Sequence, residues 1–332
     1  MKTSRRTRAR LRDFVVTEQD WIFSVVSYDL GGEGGDEEEI QCLLRYVPDK
    51  RGERVSEEGA GEGESRRYRK LDFHESFEFL RRHRPDYLKS VQNVHSVPRR
   101  EVKEILRPEE RLPAVAGRDE RVRSLFEFLK ERGVQGEKIG ITGSFLCGLN
   151  TEKSDLDFVV YGRENFDLAR SVVEQAGMAE LKEAVWRQIY EKRQPALSYD
   201  DFVAHERRKK NRGVVGETYF DILFARDWEE IGRLDKRNYE RGERVGYAEI
   251  TAVVKDASFA FDSPAIYEIE HPEISKILSF THTYAGQALA GEEIAARGVV
   301  ERTKHETRLV VGTTREARGE WIIFCVLPPA NT

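Results

Sequence analysis

Two aspartates separated by one residue, Asp155 and Asp157, are the side chains of this chain best placed to do chemistry. They open the run Asp155-Leu156-Asp157-Phe158-Val159-Val160-Tyr161, whose β-branched and aromatic content predicts a strand over 155–161. Side chains alternate along a strand, so both carboxylates share one face while Leu156, Phe158 and Val160 anchor the other. At roughly 4 Å and an effective dielectric of about 20, two such charges repel by about 4 kcal/mol. The pair is tolerable when solvated, protonated or neutralised by a cation, and hard oxygen donors on a rigid strand suit Mg²⁺. Just upstream, Gly143-Ser144-Phe145-Leu146-Cys147-Gly148 follows a short apolar run, 138–142, that predicts a buried strand. A Gly-Ser between a strand and a helical turn turns backbone N–H groups and a hydroxyl toward an anion, as a phosphate cradle does. Gly148 permits a positive φ where the chain turns back.

The surrounding pattern must hold these groups in place. Val122, Leu125, Phe126 and Leu129 recur at helical spacing, predicting an amphipathic helix over 119–133 that feeds the Gly-Ser strand. A helix is expected from about 165 to 175, stopped by Gly177. Two more, 181–192 and 199–211, are separated at Pro195. The stretch 216–225 predicts another strand, with Asp221 alone among apolar neighbours. Before it runs His205-Glu206-Arg207-Arg208-Lys209-Lys210-Asn211-Arg212-Gly213. This run reads either as a solvated helix end favoured by the dipole or as a contact to phosphates. Arg207 and Lys210, three apart on a helix, are expected to face the same way.

The joint pattern of Gly-Ser, three residues, Gly, a polar loop and Asp-x-Asp resembles the nucleotidyltransferase superfamily typified by DNA polymerase β. An Asp-x-Asp alone also occurs by chance and in sugar-nucleotide glycosyltransferases, but those give no reason for the Gly-Ser or for Asp221. The resemblance implies an α+β fold whose nucleotidyltransferase core is a small mixed sheet with helices. It implies that Asp155 and Asp157 hold two Mg²⁺ ions (Mn²⁺ as substitute), with Asp221 as third ligand and acceptor of the attacking hydroxyl's proton. Gly143 and Ser144 are then expected to hold the β/γ-phosphates of an NTP substrate, and pyrophosphate leaves. One departure stands out: the residues after the Gly-Ser, Phe145-Leu146-Cys147, are apolar where relatives often carry cations. Neutralising charge is expected instead from Lys153 or from the basic run 207–212, with Arg207 and Lys210 as its named candidates. The resemblance covers about 119–230, and the whole chain looks most like a group of archaeal predicted nucleotidyltransferases.

Composition bounds the rest. With 332 residues the chain is long enough for two or three domains, and 39% apolar with 35% charged residues is the balance of a soluble, highly charged protein. A net charge of −5 excludes a global nucleic-acid signature, so any basic binding surface is local. Cys42, Cys147 and Cys325 are too dispersed for zinc or a disulfide framework and predict buried thiols. No apolar run approaches the length of a membrane span and no signal-peptide core is present, so a cytoplasmic protein without membrane partner is expected.

Four segments are expected in order: a basic arm over 1–12, an N-terminal α/β domain over 13–115, the nucleotidyltransferase domain over 116–235 and an all-β barrel or sandwich over 246–328. The arm reads as a solvated tail or as a contact to nucleic acid. Strands over 21–28 and 40–47 flank an acidic glycine-rich loop, and a second charged loop spans 50–66. A helix is expected from Pro98 to Leu106, and 111–117 reads as a linker. His74, His83 and His95 lack metal-ligand spacing. Short strands over 247–255, 257–262, 265–270, 274–283, 293–302, 307–312 and 320–327 predict a small closed barrel or compact sandwich. Tyr267, Phe280 and Tyr284 are stacking candidates if it binds nucleic acid, and core residues otherwise. Two functions follow: transfer of a nucleoside monophosphate to a hydroxyl, with RNA or DNA as acceptor, or a catalytically idle protein that keeps the fold to bind nucleotide or nucleic acid. Oligomeric state is not encoded in any of these features.

Overall fold

The computed structural model describes residues 8–28, 39–56, 66–88, 93–240, 242–316 and 318–325. The chain separates into two compact units, Met1–Gln175 with Asn211–Gly232, and Ala176–Lys210 with Arg233–Thr332. Most of the acidic glycine-rich loop (31–38), loop residues 57–65, the end of the last predicted strand (326–327) and Arg5 and Arg6 of the basic arm lie outside the described residues.

The first unit begins with β1 (Phe14–Thr17), β2 (Ile22–Val25), β3 (Glu39–Pro48), β4 (Arg54–Ser56), β5 (Arg66–Lys70), α1 (Phe73–His83), β6 (His95–Pro98) and β7 (Val102–Leu106). The strands form one sheet in the order β4-β5-β3-β2-β1-β7, with β6 also paired to β3. Its two faces have different partners. Val15, Phe23, Cys42 and Leu44 pack with Leu80 of α1. Phe14, Ile22, Tyr46, Tyr68 and Leu106 pack instead with Leu146, Cys147 and Leu149, the residues of the Gly-Ser bend and its exit. A bulge sets Tyr46 on that second face: Phe23 pairs with Leu44 but Ile22 with Tyr46, so Arg45 is the extra residue.

The same unit continues through α2 (Pro108–Ala116), α3 (Glu120–Glu131), β8 (Ile139–Ile141), α4 (Gly143–Leu146), β9 (Leu156–Tyr161) and α5 (Arg163–Gln175). After α6 (Glu183–Arg193) and α7 (Tyr199–Lys209), which belong to the second unit, it closes with β10 (Arg212–Val215), β11 (Thr218–Ala225) and α8 (Trp228–Gly232). The second sheet runs β10-β11-β9-β8, with β11 parallel to β9 and the outer pairs antiparallel. Asp119 caps α3 by accepting from the N–H groups of Arg121 and Val122, and Val122, Leu125 and Leu129 are its buried side.

Two local expectations fail here. The helix expected from Pro98 to Leu106 is a 3₁₀ turn (Arg99–Glu101) followed by β7, which pairs with the edge of β1; sheet pairing overrides a weak helical signal. The linker expected over 111–117 is the body of α2, with Pro108 in its first turn and Pro113 inside it. That helix lies directly on β8, because Gly140 has no side chain: a Cβ there would stand 2.5 Å from Pro108 Cβ and 2.7 Å from its carbonyl carbon. The thiols of Cys42 and Cys147 are buried as expected, whereas Cys325 is half-buried. His95 is buried and accepts the Leu44 N–H on Nδ1 at 2.9 Å; burial pushes its pKa down to about 3, which fits a structural histidine.

The second unit holds α6, α7, β12 (Glu243–Phe259), β13 (Ala265–Glu270), β14 (Lys276–Ser279), β15 (Glu293–Arg302), β16 (Thr307–Val311) and β17 (Trp321–Phe324). The sheet order β12-β13-β14-β16-β15, with β15 paired back to β12, closes a five-stranded ring in which β14 and β16 are parallel. β17 adds to β15. This is the architecture of five-stranded Greek-key barrels of the oligonucleotide-binding type. The strands expected over 247–255 and 257–262 are one long β12, bent by register shifts between Val254 and Phe259. Tyr267 and Tyr284 are fully buried in the barrel core, and the Tyr267 hydroxyl donates to the Tyr284 carbonyl at 2.6 Å. They are therefore core residues and not stacking platforms. Phe280 is half-buried beneath Arg315, 5.1 Å from its ring centroid.

Candidate active site

The second sheet of the first unit sets two of the predicted acids side by side. In the parallel pairing of β9 with β11, Asp157 is the direct partner of Asp221, Phe158 of Ile222 and Val160 of Phe224. Leu156, Phe158, Val160, Ile222 and Phe224 are buried, so apolar packing fixes both strands and sends the two carboxylates to one face. Asp157 and Asp221 are half-buried, and Asp155, just before β9, is exposed.

On the other side, the Gly-Ser bend lies against Asp157. β8 is antiparallel to β9, and the Thr142 N–H donates to the Asp157 carbonyl at 2.8 Å. Gly143 follows with φ +65, in the left-handed region that only glycine enters without strain. A Cβ built on it would stand 2.4 Å from Asp157 Oδ2, so the carboxylate fills the space a side chain would need. Ser144 is the second residue of α4, whose Phe145 and Leu146 are buried, and Gly148 (φ +63) turns the chain into the loop that carries Lys153 and Asp155. Lys153 is exposed.

Asp221 already has company. Arg212, its cross-strand partner on β10, places Nε 3.4 Å from Asp221 Oδ1 with only 5% of its side chain exposed. The Tyr219 hydroxyl donates to the same oxygen at 3.1 Å. Counting outward from the two-residue turn Gly216-Glu217, with Gly216 at φ +60, pairs 212 with 221. The sequence therefore held the signal for this ion pair, although Arg212 reads there only as one member of a basic run. The hard oxygen donors on neighbouring strands suit a divalent cation. Among the described residues, however, no three His, Cys, Asp or Glu side chains close into a metal-binding group.

The remaining predicted residues, Arg207 in α7 and Lys210 just after it, belong to the second unit. Arg207 is exposed, but α7 ends at Lys209 and Lys210 adopts a left-handed φ of 52°, so the two do not share a helix face as expected. Their neighbours are spent inside that unit: Lys209 Nζ is buried between Glu206 Oε1 at 2.5 Å and the Thr283 carbonyl at 2.7 Å, and Arg208 pairs with Glu292.

The basic arm is also not a free tail where it is described. Arg10 is buried, ion-paired with Glu109 and stacked 3.5 Å from the Tyr161 ring centroid, and Tyr161 donates to Glu109 at 3.0 Å. Asp13 Oδ2 accepts the Arg10 N–H at 2.9 Å and closes a turn in which Arg12 has φ 79°. The carbonyl of Arg12 accepts the Thr142 hydroxyl at 2.8 Å, so this turn braces the residue before Gly143. Full burial pushes the Asp13 carboxyl up to about 7; Arg10 opposes this, Glu109 adds to it, and Arg107 also opposes it. The group is protonated in the fold where the unfolded chain would ionise it, so its contribution to stability is present below about pH 4 and is lost as pH rises to about 7. Asn at this position retains an acceptor for the Arg10 N–H. Calorimetry between pH 4 and 8 should show the decline in Tm of the wild type shrink in Asp13→Asn; superimposable curves would exclude Asp13 as its source.

A family model for the nucleotidyltransferase domain matches residues 122–228, which contain the bend, all three aspartates and both strands that carry them. The chain is 36% identical over 342 aligned positions, 95% of its own length and 98% of the relative's, to Uncharacterized protein MJ1086 of Methanocaldococcus jannaschii. No solved structure matches it. The glycine bend, the paired carboxylates and these two likenesses agree, and the chain belongs to the nucleotidyltransferase-domain family of the DNA polymerase β-like superfamily.

Proposed function

We propose that the protein transfers a nucleoside monophosphate from an NTP to a hydroxyl acceptor in a reaction that depends on Mg²⁺, with Mn²⁺ able to substitute. The observation that carries this reading is the register of Asp157 beside Asp221, with Gly143 pressed against the Asp157 carboxylate. Asp155 and Asp157 would hold the two ions and Asp221 would complete the acceptor-side set, exchanging Arg212 and Tyr219 for it. Bound divalent ions supply a lowered pKa for the attacking hydroxyl and charge neutralisation for the leaving pyrophosphate. Gly143 and Ser144 hold the β- and γ-phosphates through backbone and hydroxyl. The acceptor oxygen attacks the α-phosphorus, its proton passes to Asp221, and the bond to the β-bridging oxygen breaks to release pyrophosphate. RNA or DNA is the favoured acceptor class, because the second unit carries a barrel of the architecture that oligonucleotide binders use, an argument from fold analogy.

Incubation with Mg²⁺, each labelled NTP and RNA, DNA or protein acceptors should move label into an acceptor and release pyrophosphate. Label that stays in free nucleotide with every acceptor, for wild type and Asp157→Asn alike, would overturn the reading. The idle alternative is favoured by one observation, the Arg212 charge already beside Asp221. It predicts nucleotide or RNA binding indifferent to divalent ions.

A further inference from the structure

The transfer reaction proposed above brings about four negative charges of an NTP to a bend that offers no cation of its own, since Phe145, Leu146 and Cys147 are all buried and apolar. The N-terminal sheet supplies one. Arg54 on β4 is the cross-strand partner of Tyr68, whose face of the sheet packs on Leu146, Cys147 and Leu149. From there Arg54 Nη1 lies 3.3 Å from the Leu149 carbonyl and 3.5 Å from Ser154 Oγ. Those two oxygens bracket the loop between the bend and Asp155.

Both of these hydrogen-bond acceptors are neutral. Among the described residues Arg54 ion-pairs with its sequence neighbour Glu53, at 3.8 Å from Nε and with 54% of the Glu53 side chain exposed. Arg54 Nε is itself buried with no hydrogen-bond partner. Arg10, Arg84, Arg121 and Arg308 of this chain, by contrast, each hydrogen-bond a carboxylate directly. A guanidinium held in place by neutral oxygens keeps its charge available to an anion, and its fork of N–H groups suits phosphate oxygens. Tyr46 packs in the same cluster as Tyr68, Leu146 and Cys147, so the face of the sheet beside Arg54 lies directly on the bend.

We propose that Arg54 is a phosphate-binding residue of the nucleotide site, which makes the N-terminal sheet one wall of that site. This rests on the nucleotidyl-transfer reading. The competing role is a clamp on the loop 149–154 that touches no ligand, and the two roles separate by ligand charge. Binding of each of the four common NTPs and the matching monophosphates is measured by calorimetry with Mg²⁺ on the full chain, for wild type, Arg54→Gln, Arg54→Lys and Ser154→Ala. The expected result is a loss of about tenfold in NTP affinity for Arg54→Gln with the monophosphate little changed, a smaller loss for Arg54→Lys, and a smaller loss again for Ser154→Ala, which leaves the charge and its Leu149 contact in place. Equal losses for triphosphate and monophosphate in Arg54→Gln, or no loss in it, would overturn the assignment. Arg54→Lys carries the test if the glutamine variant does not fold, because a clamp satisfied by any cation would leave its NTP affinity at the wild-type value. A wild type that binds none of the four nucleotides would sink the nucleotidyl-transfer reading itself, a failure distinct from the others.

Discussion

Asp157→Asn is expected to lower nucleotidyl transfer by on the order of 10³-fold while leaving the fold intact. Asparagine keeps the shape that fills the space over Gly143, and Leu156, Phe158 and Val160 still anchor β9 in the core. What it removes is one negative charge beside Asp221, its direct partner on β11. Thermal stability should therefore hold or rise slightly, since like-charge repulsion falls. A loss of activity accompanied by a matching loss of Tm would assign Asp157 a structural role instead. Activity within a few-fold of wild type would remove it from the reaction.

Gly143→Ala should show the reverse division. A left-handed alanine costs about 1–2 kcal/mol, and its Cβ would meet Asp157 Oδ2 at 2.4 Å. The obstacle is the end of a side chain, so the carboxylate can swing away and the fold survives. A displacement of about 1 Å at a reacting group is worth roughly 10²-fold in rate, and that is the expected loss. Gly177→Ala is the matched control: its φ is +68 and nothing lies within 4 Å of a Cβ there. Urea titration should find similar destabilisation in both variants, with transfer activity reduced only in Gly143→Ala. Equal activity in the two would mean that the bend does not set the position of Asp157.

The facing of Asp157 and Asp221 was readable from the sequence because strand alternation is local and each sits in an apolar run, whereas Asp155 lies just before β9, outside the strand expected to carry it. The same rule places Ala265, Tyr267 and Ile269 on one face of β13, so the burial of Tyr267 was open to inspection. The barrel was legible as a succession of short strands, although bulges that merge two of them into β12 leave no composition signal. The helix α2 was hidden by Pro113, which ordinarily marks a break. Arg54 and Ser154 are 100 residues apart, and Arg12 and Thr142 are 130 apart. Neither contact has a local signature, since one comes from a sheet face that packs on the bend and the other from the turn before β1. Lys209 and Arg208 misled for a related reason: a basic run reads as a solvated or ligand-binding end until Glu206 and Glu292 are seen to absorb it.

Asp157 and Asp221, neighbours across β9 and β11, are proposed to hold a divalent ion together with a nucleotide. Electron paramagnetic resonance of Mn²⁺ titrated into the full chain with an NTP tests it without knowledge of the acceptor. The wild type is expected to bind Mn²⁺ stoichiometrically and only with nucleotide, and this binding is expected to be abolished in Asp157→Asn and Asp221→Asn. Mn²⁺ binding unchanged in both variants would contradict it.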